Sequence, residues 1–159
     1  MRLSIMSLWL VRSIEPCEAW ETGMSDVKTV AVEWQGGMRF RGGAPGGPAM
    51  TIDADGKEAP GPMLALLMAG AACGGADVVS ILEKMHVKLR KYTTEVSGVR
   101  APDHPKRYTA IAYRIVLAGD GLDEDKARRA IDLSLAKYCS VLLSLNPDIP
   151  ITYELVLEP

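Results

Sequence analysis

The sequence predicts an α+β domain of order βββ–α–ββ–αα–β, with largely antiparallel strands. Three observations carry that prediction. Residues 63–76 are uncharged and strongly apolar, and the chain enters them through Pro60-Gly61-Pro62, as it would enter a central helix. Runs with a period of two lie on both sides of that stretch, which is the signature of strands. Helical segments do not alternate one for one with strands, so a doubly wound parallel sheet is not expected.

Taken in order, Val27, Thr29, Ala31 and Glu33 alternate with Lys28, Val30, Val32 and Trp34, a β-branched run fit for a first strand. Gln35-Gly36-Gly37 supplies turn chemistry, and residues 38–41 return as a second strand with Arg39 and Arg41 on one face. A glycine-rich loop leads to a short third strand at 49–53. The central helix is expected over 62–86. Residues 88–100 alternate in part, and 107–117 are the clearest strand, with Thr109, Ile111, Tyr113, Ile115 and Leu117 on one face. Asp123 is a suitable N-cap for a helix over 124–138 that packs through Ala127, Ala130, Ile131, Ser134, Leu135 and Tyr138. A short helix over 140–146 stops at Asn146-Pro147, and 151–157 form the last strand.

At 159 residues, a single domain with a real core is expected. Residues 24–159 are assigned to it. Residues 1–23 differ in character: Arg2 followed by the apolar run 3–11 resembles part of a signal peptide, but no small-x-small cleavage site follows. Met24 is a natural second start, so 1–23 are read as a misassigned start or a mobile extension, and Cys17 carries little weight. The net charge of −2 offers no basic field for nucleic acid. The uncharged run of about 14 residues is short of the roughly 20 that span a bilayer, so no membrane is expected. Three cysteines are too few for a disulfide scaffold and suit a cytoplasmic protein with reduced thiols. With only His86 and His104, and no CxxC or HxxxH spacing, neither a metal nor a cofactor is expected.

Cys73 sits within the apolar helix, in AGAACGGADVVSILEK, and Cys139 comes about 66 residues later in AIDLSLAKYCSV. These two contexts, the glycine-rich GGMRFRGGAPGG segment and the element order together resemble the OsmC/Ohr family across about 27–158. The resemblance implies an OsmC-like fold of two intertwined subunits, with sheets from both chains around two long central helices. It also implies a thiol peroxidase that reduces organic hydroperoxides. Cys73 would attack the peroxide, Cys139 would resolve the sulfenic acid as a disulfide, and a dithiol such as a lipoyl group would reduce that disulfide. An arginine of the N-terminal hairpin, either Arg39 or Arg41, would assist the Cys73 thiolate. The implied partners are a second copy of the chain, the hydroperoxide and the dithiol.

One departure from the family stands out. Its peroxidases carry a glutamate in the first helical turn, and here Met63 and Leu64 occupy that turn. Glu58 lies further back, in a loop. Asp77, one turn after Cys73, would raise a thiol pKa, because like charges disfavour ionisation. A second reading therefore stands beside the first: a non-peroxidatic protein of the same fold that binds a small hydrophobic ligand at the subunit interface, lined by Met63, Leu64 and Met68. Cys73 itself could simply be a small core residue where helices cross.

Overall fold

The computed structural model describes residues 27–159; the expectations for 1–23 and Cys17 lie outside the described residues. Six strands and three α-helices are present among them. These are β1 (Ala31–Trp34), β2 (Arg39–Gly43), β3 (Ala49–Asp53), α1 (Pro62–Lys84), β4 (Lys88–Arg100), β5 (Tyr108–Asp120), α2 (Glu124–Leu133), α3 (Ser140–Leu143) and β6 (Ile151–Leu157). A π-helical turn, Ser134–Tyr138, joins α2 to α3. The strands form two three-stranded sheets, β1–β2–β3 and β4–β5–β6.

The core lies between α1, α2 and one face of the second sheet. Ile111, Tyr113, Ile115 and Leu117 of β5 are buried, but so are Tyr108, Val116 and Ala118 of the other set, and Thr109 is exposed, so burial follows the alternation only in part. Against them pack Leu67, Val78 and Leu82 of α1, and Ala127, Ala130 and Ile131 of α2. Two features fix the ends of α1. Proline occupies its first turn, where a missing N–H costs nothing, and the Tyr108 hydroxyl donates to the Met63 carbonyl at 2.7 Å. At the other end His86 turns the chain in the left-handed region (φ 61°), so the helix closes at Lys84 rather than at His86.

Two elements depart from the sequence reading. The last strand does not extend the antiparallel pattern: β6 pairs with β5 in parallel, from Ile111↔Ile151 to Leu117↔Leu157. A parallel neighbour needs a crossover, and α2, the π-turn and α3 supply it. The helix after Asp123 is also not uniform to 138. It is α-helical only to Leu133, and the Cys139 N–H then donates five residues back to the Ser134 carbonyl at 2.8 Å. The extra residue in that turn rotates the chain beyond it. Ser134 stays buried, Tyr138 comes to the surface instead of the packing face, and Cys139 is carried inward to full burial.

Candidate active site

The site begins with the small residues on one face of α1. Gly70 and Gly74 lie one turn apart, and the segment bearing Cys139 rests directly on them. A Cβ at Gly70 would sit 3.0 Å from the Tyr113 hydroxyl and from a Leu142 methyl. A Cβ at Gly74 would sit 3.5 Å from Ser134 Oγ and 4.0 Å from Cys139 Sγ. The contact is tight at Gly70 and ordinary at Gly74, and the Cys139 thiol lies 3.8 Å from the Gly70 carbonyl.

Cys73, half-buried on the same helix, meets Cys139 there. Cys73 Sγ, Cys139 Sγ and a carboxylate oxygen of Asp77 all lie within 4.8 Å of one another. Both cysteines are free thiols. A disulfide S–S bond is about 2.0 Å, so the two sulfurs need close only by a distance that side-chain rotation spans. Asp77 is held by Ser134, whose Oγ donates to Asp77 Oδ2 at 3.1 Å. The two cysteines were legible in the sequence. Ser134 was expected only as a packing residue, and its contact with Asp77 depends on the π-turn.

Burial first, and neighbouring groups after it, favour the protonated form of Cys139. Burial pushes the Cys139 thiol up to about 11; an N–H from Leu142 opposes this, and Cys73 and Asp77 add to it. The Tyr113 hydroxyl is pushed up to about 12, first by burial and then by Cys139, Tyr92 and Cys73. Tyr92 is raised for the same two kinds of reason, burial first and then Cys139. The buried Tyr113 hydroxyl has no hydrogen-bond partner among the described residues.

The two arginines part company. Arg39 forms an ion pair with Glu58, the loop acid. The pair is built by Asp53, the one buried residue of the first sheet, whose carboxylate accepts N–H groups from Asp55, Lys57 and Glu58, each at 3.0 Å. Those bonds, the Glu58 N–H foremost, hold the Asp53 carboxyl below its ordinary pKa; burial opposes them and Arg39 helps. Arg41 is exposed and makes no ion pair among the described residues. Neither arginine is hydrogen-bonded to Cys73 or Cys139 within one chain. The strand alternation could not separate Arg39 from Arg41, and no helical register could reveal Glu58; the Asp53-centred loop does both.

Between that loop and α1 runs a groove of about 470 Å³, lined by Lys57, Pro60, Leu64, Met68, Ala71 and Val96 among others. Ala71 also lines a smaller cavity with Gly74, Tyr92, Tyr113 and Ser134, beside the thiols. Neither cysteine lines the groove, whose α1 residues lie on the face of the helix opposite Cys73.

Comparison with known proteins gives the family and the fold. The family described as OsmC-like protein matches residues 54–154. Protein YhfA of Escherichia coli K12 is 36% identical over 128 residues, covering 79% of this chain and 96% of YhfA. A hypothetical protein from Aquifex aeolicus VF5 superimposes with a TM-score of 0.73 at 29% identity, covering 85% of this chain and 100% of that one. The organic hydroperoxide resistance protein OhrB of Bacillus subtilis shares the fold at a TM-score of 0.55 and 16% identity, over 82% of this chain and 98% of that one. The chain belongs to the OsmC-like family, and its apolar α1 is the core helix of that fold, although by length and composition alone it would suffice to cross a bilayer.

Proposed function

We propose that this member of the OsmC-like family is a thiol-dependent reductase of organic hydroperoxides that works as a cytoplasmic homodimer of its 24–159 domain. The observation that carries the reading is the meeting of Cys73 and Cys139 within 4.8 Å, brought together from distant parts of the chain. A hydroperoxide would approach half-buried Cys73 with its O–O bond towards the sulfur. The Cys73 thiolate attacks the nearer oxygen. An S–O bond forms, the O–O bond breaks, and the leaving alkoxide takes a proton to depart as the alcohol. Cys139 then attacks the Cys73 sulfur. An S–S bond forms, the S–O bond breaks, and water leaves with the Cys139 proton. A dithiol such as a lipoyl group returns the pair to thiols.

The Cys73 thiolate needs a cation, and Arg39 is preferred to Arg41 because Glu58 and Asp53 hold it in place. Glu58 thereby does from a loop what Met63 and Leu64, in the first helical turn, do not. The homodimer is supported by what one chain leaves uncovered. Val32, Trp34, Met38, Phe40 and Met50 of the β1–β3 region are exposed, as are Leu64 and Met68 of α1. The reading requires Arg39 to approach the thiols of the second copy, since within one chain it bonds to neither cysteine.

A second reading has its own support. Burial, Cys73 and Asp77 all raise the Cys139 thiol, which disfavours a reactive pair, while the groove is apolar enough to hold a hydrophobic ligand without chemistry. Turnover separates the two. Purified protein with a dithiol reductant is expected to reduce cumene or fatty-acid hydroperoxide, Cys73→Ser to be inactive, and Cys139→Ser to stop after about one equivalent. No turnover by the unaltered protein would refute the peroxidase reading. Unchanged turnover in Cys73→Ser would refute the choice of nucleophile.

A further inference from the structure

The Cys73, Asp77 and Cys139 cluster has a property that peroxide reduction does not require. Three potential anions converge within 4.8 Å, and no cation among the described residues pairs with Asp77, whose carboxylate is half-buried and bonded only to Ser134. Cys73 and Asp77 are four residues apart on α1 and so project from one face of a rigid helix, as paired helical metal ligands do. Cys139 completes the face from the π-turn, a ligand no local spacing could reveal. An independent feature also points to a missing ligand. Tyr113 is only 5% exposed, its hydroxyl is unpartnered, and it stands against Gly70, whose carbonyl lies beside the Cys139 thiol.

We propose that the reduced protein binds one thiophilic divalent ion of the zinc class through Cys73 Sγ, Cys139 Sγ and the Asp77 carboxylate, with water as the fourth ligand. Tetrahedral zinc takes sulfur at about 2.3 Å and carboxylate oxygen at about 2.0–2.2 Å, so donors this close need only modest side-chain movement. Binding releases two protons, one from each thiol, and leaves the trio and ion with a net charge of −1 instead of −3 for the ionised donors alone. Ser134 orients the carboxylate from behind, as outer-shell partners do, and Tyr113 is available as a donor to the water. Oxidation of the pair to a disulfide removes both sulfur ligands, so metal and disulfide exclude each other. Partial exposure of Cys73 leaves the cluster accessible to an ion from solvent.

The test uses the full chain carrying Cys17→Ser, reduced and held anaerobically, titrated with Co²⁺. The expected result is one Co²⁺ per chain with thiolate-to-cobalt charge-transfer absorption, displaced by one equivalent of Zn²⁺. Asp77→Asn should weaken binding at least about tenfold, and Cys139→Ser should weaken it further and reduce the charge-transfer intensity. The same protein oxidised with diamide should bind no Co²⁺, a control that needs no further substitution and is independent of folding defects in variants. Absence of the charge-transfer band in the reduced protein would overturn the proposal, as would equal binding by reduced and oxidised protein. Because no peroxide is present, a metal site without hydroperoxide turnover would refute only the peroxidase reading, and turnover without metal binding only this one.

Discussion

The two sheets of this chain meet opposite fates. The β4–β5–β6 sheet is closed on one side by α1 and α2, and Leu82, Ile111, Leu117 and Ile131 are almost wholly removed from water. The β1–β2–β3 sheet buries only Asp53 and leaves Trp34 65% and Val32 64% exposed. Both sheets carry large apolar side chains; the difference is whether one chain supplies the cover. Of the 23 residues of α1, those buried are Leu67, Gly70, Gly74, Gly75, Val78 and Leu82, a single stripe on a helix apolar over much more of its surface. One half of the molecule is a finished core, and the other is left uncovered by this chain.

That contrast can be broken in several ways. The largest effect is expected in the finished half: Leu82→Ala, which empties a site with no exposure, should cost about 2–5 kcal/mol in urea unfolding. A cost below about 1 kcal/mol would mean that this half also depends on a partner for its stability. In the uncovered half, Trp34→Asp should spare the core but weaken self-association by about 2 kcal/mol or more, roughly thirtyfold, by analytical ultracentrifugation. A dimer of unchanged affinity would remove this sheet from the interface. At alkaline pH the contrast falls on the thiols. The Cys139 pKa is raised on folding from the ordinary thiol range to about 11, so its contribution to stability is complete below about pH 8.5 and is lost as pH rises towards 11. Reduced protein should show that decline in thermal melts, and Cys139→Ala should flatten it. The smallest effect is local: Asp123 caps α2 by accepting the Lys126 N–H at 2.8 Å, and Asp123→Ala should cost about 1 kcal/mol.

The finished half was also the more legible in sequence. The strands at 88–100 and 151–157 were bounded as they stand, and the alternation in β5 was legible, though its C-terminal half is buried on both sets of side chains. The N-terminal start of α1 followed from its proline. What sequence could not supply was long-range or irregular. The parallel partner of β6 is a property of the crossover, and 151–157 reads the same in either direction. The π-turn has no periodic signature, so an ideal helix placed Tyr138 inside and left Cys139 at a helix end. Glu58 acquires a role only because Asp53 folds its loop back over Arg39. The cysteines themselves were found by their contexts; their electrostatic setting, with Asp77 and Ser134 beside them, was visible only in part, through the spacing of Cys73 and Asp77.

The most direct test of the central claim is to expose the reduced protein, without any reductant, to one equivalent of organic hydroperoxide and to map its peptides by mass. The account predicts one alcohol released per chain and a disulfide joining the Cys73 and Cys139 peptides, with the intact chain lighter by two hydrogens. Recovery of both cysteines as free thiols with the hydroperoxide intact, or of Cys73 over-oxidised while Cys139 remains a thiol, would contradict it.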